Sequence, residues 1–181
     1  MIIPIESALV VFFPQVESLV ESFRQRFDPF AALGVPAHVT VLYPFKPPAE
    51  VTLQDQQKLV DLFMDFPAFT ITFAETRCFP DVLYLAPYPD EPFRRLTKAV
   101  ARKFPKTPPY GGEYSDVIPH LTVAQTTDSG HLEKIASEFQ QAAKEVLPIQ
   151  ADVREVSLMD NANGAWQVRY RFKLNTGSKT S

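Results

Sequence analysis

The sequence predicts an α+β chain made by duplicating one β-α-β-α-β unit. Three observations carry this. Short apolar runs of strand length alternate with stretches of helical period along almost the whole chain. The order strand, helix, strand, helix, strand is read once over residues 8–78 and again over 82–159. Third, Val35, His38, Thr40 and Val41 recur as Val117, His120, Thr122 and Val123, each 82 positions later and at the same place in the element order. The two units are therefore expected to be related by a pseudo-two-fold axis.

The first strand is Ala8 to Phe13, an unbroken apolar run closed by Pro14, which cannot donate to a ladder. Val16, Leu19, Val20, Phe23 and Phe27 then recur at three-to-four spacing and predict a helix over 15–27, stopped by Asp28-Pro29. Residues 37–43, framed by prolines, read as a strand, 52–66 as a helix, and 69–78 as an alternating strand. The second unit opens with a strand over 82–86 and a helix over 91–104 that carries Phe93, Leu96, Val100 and Phe104 on one stripe. A strand over 119–124 follows, then a helix capped by Asp128 or Ser129 and running to about Val146, and a single strand over 149–159. Asn161-Ala-Asn-Gly164 turns the chain into a last strand, 165–174, and 176–181 is a polar tail. Residues 1–175 are thus expected to form one domain.

Composition narrows the function. With 45% apolar, 12% aromatic and 22% charged residues, the chain can build a core. Seventeen prolines against six glycines point to stiff loops. A net charge of −3 argues against a surface that wraps long duplex nucleic acid. No apolar run approaches the ~18 residues of a membrane helix, and the first residues lack the basic start of a secretory signal, so cytoplasmic residence and no membrane partner are expected. Cys78 stands alone and reads as core filler or a half-exposed bystander.

The chemistry is expected at His38-Val-Thr40 and His120-Leu-Thr122. A strand puts residues i and i+2 on one face, so each segment presents an imidazole and a hydroxyl together while Val39, Val41, Leu121 and Val123 point into packing. If the reactive faces meet across a groove, one neutral imidazole can take a proton while its protonated partner delivers one to a departing oxygen. The threonine hydroxyls can hold nonbridging phosphoryl oxygens. That scheme requires no metal or cofactor, and Glu113 and Asp116 in the 105–118 loop lack ligand spacing. His131 is expected to face solvent.

These paired motifs, His38-Val-Thr-Val-Leu-Tyr-Pro-Phe45 and Pro119-His-Leu-Thr-Val-Ala124, resemble the two-histidine phosphoesterase superfamily, the 2′-5′ RNA ligase-like or cyclic phosphodiesterase group. The resemblance implies a bilobal α+β fold, with two antiparallel-type sheets flanking a water-filled cleft and helices outside. It also implies metal-independent hydrolysis or transfer at a 2′,3′-cyclic phosphate or a 2′-5′ phosphodiester of nucleotides or RNA ends. His38 and His120 would then be the acid/base pair and Thr40 and Thr122 the phosphate ligands. The chain departs from many RNA-processing relatives at Tyr43-Pro-Phe45 and at Gln125, where they carry Phe-Leu-Gly and a basic residue.

Tyr84, Tyr110, Tyr114 and Gln125 are the further candidates for substrate contact, the two tyrosines of 105–118 as stacking groups on a loop that could act as a flap. The basic residues from Arg94 to Lys106 read as a solvated helix face, and Trp166 as core or sheet surface. The expected partner is a phosphate-containing small molecule or an RNA terminus, bound by a monomer. The alternative reading is a noncatalytic phosphate-binding protein that uses the same groove.

Overall fold

A computed structural model describes residues 4–177. The elements follow the predicted order: β1 (Ser7–Phe12), α1 (Pro14–Phe27), a short α2 (Pro29–Ala32), β2 (His38–Leu42), α3 (Leu53–Met64), β3 (Phe69–Cys78), β4 (Val82–Tyr88), α4 (Glu91–Lys103), β5 (Leu121–Gln125), α5 (Ser129–Ala143), β6 (Ile149–Val153), β7 (Glu155–Asp160) and β8 (Gln167–Lys173). Local chemistry explains the boundaries. Thr52 and Asp55 form a reciprocal capping box on α3, and the Asp28 carboxylate accepts the Phe30 amide to start α2, which the sequence pattern did not anticipate. Asp128 caps α5 through the His131 amide. Of the expected polar tail, 178–181 lie outside the described residues.

The strands form two four-stranded antiparallel sheets, in the orders β2-β1-β7-β8 and β5-β4-β3-β6. Position by position, β2 corresponds to β5, β1 to β4 and β7 to β3, the expected pseudo-two-fold relation. The sheets do not, however, coincide with the two sequence repeats. Strand β3, from the first repeat, pairs with β4, and β7, from the second, pairs with β1. The expected single strand 149–159 is two strands in different sheets. Ala151 and Val153 enter the main core before Arg154-Glu155, and Val156 and Leu158 after it, while Met159 lies in the smaller cluster, so the face turned to the main core slips by one residue there. Such a slip turns the core face over, and a continuous strand cannot satisfy both registers on one sheet.

The helices exchange in the same sense. α1, leaving the first sheet, packs against β5 of the second, and α4, leaving the second, packs against β2 of the first. One apolar core therefore joins both halves, from Leu9, Val11 and Val39 to Leu83, Leu85, Leu121 and Val123. Phe13 meets Phe73 edge to face with ring centroids 5.0 Å apart, a contact worth about 1 kcal/mol beyond its buried area. The helices cover the sheet faces turned away from His38 and His120. A smaller cluster of Ala8, Val10, Val35, Met159 and Trp166 lies on the other face of the first sheet. Among the described residues no helix is long and apolar enough to cross a membrane.

Candidate active site

His38 opens β2 and His120 immediately precedes β5, two strands that approach each other between the sheets. Both rings, with Thr40 and Thr122, line one cleft of about 640 Å³. Each imidazole is held in the same way: Nδ1 lies 2.8 Å from the carbonyl two residues upstream, Pro36 for His38 and Ile118 for His120. A carbonyl only accepts, so Nδ1 carries the proton and donates. In the neutral ring this leaves the Nε2 lone pair free as a base.

Burial keeps both rings neutral at physiological pH. His38 is pushed down to about 4, chiefly because charging it in the cleft wall forfeits hydration; the Pro36 bond opposes this, the Arg24 guanidinium and His120 add to it, and Asp28 opposes it. His120 is lowered for the same principal reason, with the Ile118 bond pulling the other way. An anion placed between the rings would favour their charged forms.

The other expected residues separate into groups. Tyr110 lines the cleft beside Thr40, its pKa raised chiefly by burial while the nearby Thr40 hydroxyl pulls the other way. Its amide donates to the Tyr43 carbonyl over 2.6 Å, and its φ of 49° puts it in the left-handed region that favours glycine. Tyr114 lies on the rim, 62% exposed and edge-on to Tyr110. Gln125 also lines the cleft and is exposed. Tyr84 does not line it. It is 4% exposed, stacked on Phe79 with centroids 4.4 Å apart and edge-on to His120 at 5.6 Å. It supports the histidine from behind and does not meet the cleft as a contact surface.

The loop 105–118 is pinned by the Tyr110 bond at one end and by Arg94 at the other. Arg94 is not part of a solvated face. It grips Asp116 through two bonds of 2.8 Å, Asp90 at 2.9 Å and the Val117 carbonyl at 3.3 Å, whereas Arg95, Lys98, Arg102, Lys103 and Lys106 are exposed as expected. His131 is exposed against the edge of Phe27, and Cys78 is exposed on β3. Among the described residues no group of three or more His, Cys, Asp or Glu side chains is arranged to hold a metal ion.

Three aromatic residues that the sequence did not mark as contact residues line the cleft: Phe30, Tyr43, read only as a departure from the family pattern, and Trp166, read as core or sheet surface; their rings meet pairwise at 6.3–6.4 Å and form one aromatic wall. Trp166 reaches the cleft because its amide donates to the Leu33 carbonyl, tying the 161–166 turn to the loop before β2. No periodicity signals this, since the three rings come from three separate places: the short α2, the end of β2 and the turn before β8.

Two sheets related by a pseudo-two-fold axis, each contributing a locked imidazole and a hydroxyl to one cleft, define a two-histidine protein. The 2′-5′ RNA ligase superfamily model matches residues 12–165, and the chain belongs to that superfamily. It is 27% identical to a protein named "Putative phosphoesterase" from Bacillus cytotoxicus over 94% of this chain and 98% of that one. A relative of the same name from Geobacillus kaustophilus is 23% identical over 90% and 93% of the two chains. Among solved structures, E. coli LigT complexed with 3′-AMP superposes with a TM-score of 0.60 at 17% identity, covering 95% of this chain and 99% of that one. TT0787 of Thermus thermophilus gives 0.60 at 20% identity over 94% and 98%. These likenesses show the fold.

Proposed function

We propose that the chain is a phosphodiesterase acting on a 2′,3′-cyclic phosphate or a 2′-5′ phosphodiester of a nucleotide or RNA end. His38 and His120 serve as its paired base and acid. The observation that carries this reading is the matched pair of imidazoles, each with Nδ1–H committed to a backbone carbonyl and each lining the same cleft as the threonine two residues on.

His38, held more strongly in its neutral form, takes a proton from water through Nε2. The water oxygen bonds to phosphorus as the bond to the departing sugar oxygen breaks, and the His120 imidazolium passes its Nε2 proton to that oxygen. Thr40 and Thr122 donate to the nonbridging oxygens as their charge grows. No step calls on a metal, so turnover is expected to survive chelation. The aromatic wall of Phe30, Tyr43 and Trp166 suits a nucleobase, whose stacking on a single ring is worth about 1–3 kcal/mol. That the solved relative LigT was crystallised with 3′-AMP, ATP and NADP+ supports a nucleotide-sized phosphoester here.

The test is an assay of 2′,3′-cyclic nucleotides and 2′-5′ dinucleotides with chelator present. Turnover of at least one, lost in His38→Ala and in His120→Ala, is the expected result. Binding without turnover across the panel would instead make the protein a phosphate binder.

A further inference from the structure

Each candidate catalytic histidine is preceded, three residues upstream, by a valine whose carbonyl is held by an arginine from a helix. Arg24, late in α1, donates through Nη2 to Val35 O at 2.9 Å. Arg94, in the first turn of α4, donates through Nη1 to Val117 O at 3.3 Å. The peptide carbonyl that follows in each case, Pro36 O or Ile118 O, is the one that receives the imidazole Nδ1–H. Both arginines are also fixed by carboxylates. Arg24 binds Asp28 through Nε and Nη2 at 3.0 and 2.9 Å, and Arg94 binds Asp116 and Asp90. A guanidinium presents its donors in a rigid plane, so holding a carboxylate on one side aims the remaining N–H groups.

The arrangement does not follow from the duplication. The copied strands lie 82 positions apart, the two arginines 70, and they occupy different turns of their helices. Two unlike sequence solutions reach one geometry.

We infer that Arg24 and Arg94 are positioning residues that fix the carbonyl orienting each imidazole, and through it the aim of Nε2 into the cleft. The inference rests on the reading of His38 and His120 as the acid/base pair, yet part of its test does not need turnover. Freeing the Val117 carbonyl lets the Val117–Pro119 segment relax, so Ile118 O drifts from the His120 ring and the ring is no longer confined to one tautomer or rotamer. A displacement near 1 Å at a reacting group costs roughly 10²-fold in rate.

Arg94 is the residue to change first, because it is only partly buried and its loss leaves no buried charge unpaired. Arg94→Gln is compared with Asp90→Asn, which removes a carboxylate from the same arginine while leaving the Val117 bond in place. In proton–nitrogen correlation spectra of histidine-labelled protein at pH 7.5, the wild type should show both rings as Nδ1–H tautomers. Arg94→Gln should move His120 to mixed or broadened signals, leave His38 in place and lower kcat with KM little changed. Asp90→Asn should match the wild type in both. For the first half-site the double variant Arg24→Gln/Asp28→Asn avoids a stranded buried aspartate and should give the reciprocal pattern, with His38 perturbed and His120 not.

Unchanged His120 signals in Arg94→Gln, or the same perturbation in Asp90→Asn, would overturn the inference. Perturbed signals of the expected kind in a protein that turns over no phosphodiester would uphold the arginine role and discard the catalytic reading instead.

Discussion

Around His38 and Thr40 the protein places Phe12, the aliphatic Val10 and a fully buried ion pair; around His120 and Thr122 it places the rings of Phe79 and Tyr84 and an ion pair open to water. Thr40 faces Val10 across the β1–β2 ladder, whereas Thr122 faces Tyr84 across β4–β5, and a register shift adjoins the partner residue in both. His120 has Phe79 edge-on at 5.2 Å and Tyr84 behind it. The Arg24 and Asp28 side chains are each 2% exposed, against 21% and 67% for Arg94 and Asp116. What the halves share locally is the imidazole-and-hydroxyl pair, the carbonyl that orients each ring and the arginine bond to the valine carbonyl before it. The supports have diverged, and with them the electrostatics, so that under the proposed function the two copies of one segment would be unequal partners in proton transfer.

The largest effects should fall on the shared part. His38→Ala and His120→Ala are each expected to lower kcat/KM by about 10²–10⁴-fold, with the double variant little worse than either, because the two act as one unit. Equal retention of turnover in both would break the comparison at its root. Next come the hydroxyls. Thr122→Val should cost on the order of 10²-fold in kcat, as loss of a donor to a developing oxyanion does. Thr40→Val should cost less, since the Tyr110 phenol beside it can donate in its place, and Tyr110→Phe combined with Thr40→Val should restore parity with Thr122→Val in steady-state rates.

The divergent supports predict a difference in stability. Tyr84→Ala removes a buried ring and should destabilise by about 3 kcal/mol in urea titration, whereas Val10→Ala, which deletes far less volume, should cost clearly less.

The pH dependence sharpens the unequal electrostatics. In the free protein one ring must be neutral and the other charged, with His38 lowered to about 4 and His120 lowered from 6.5. The kcat/KM profile should therefore be a bell lying below pH 6.5, its limbs belonging to the coupled pair. The kcat profile, taken with the anion bound, should shift to higher pH. The same shift also acts on folding. The unfolded chain takes up a proton on His38 below about pH 6.5 that the native ring refuses until about 4, so stability rises with pH across that window. His38→Gln should flatten the rise in melting temperature between those limits.

Much of the architecture was legible locally. Strand and helix positions follow from runs of period 2 and 3.6, because burial of one face is a local demand on spacing, and His38 with Thr40 or His120 with Thr122 share a face for the same reason. Where reading failed, the missing information was nonlocal. Alternation over 149–159 shows that the segment is extended, but only the phase slip at Arg154-Glu155 hints that it serves two sheets. Alternation with Leu83 and Leu85 puts Tyr84 on the cleft side of β4, yet what stands between it and the cleft is Phe79, outside that strand. Arg94 read as one of six basic residues on a helix, since a guanidinium half-covered by a loop 22 positions away has the same local spacing as one in water.

By itself, then, the amino-acid order determined the elements, their apolar faces, the duplicated imidazole-and-hydroxyl segments and the superfamily those segments resemble. Only the tertiary structure decided that the sheets trade β3 and β7, that Phe30, Tyr43 and Trp166 form one wall, and that two arginines at unrelated positions hold equivalent carbonyls. Side-chain period is imposed by the backbone within one element, whereas sheet membership, cleft walls and hydrogen bonds between distant loops are set by packing of the whole chain, which no single window of sequence contains.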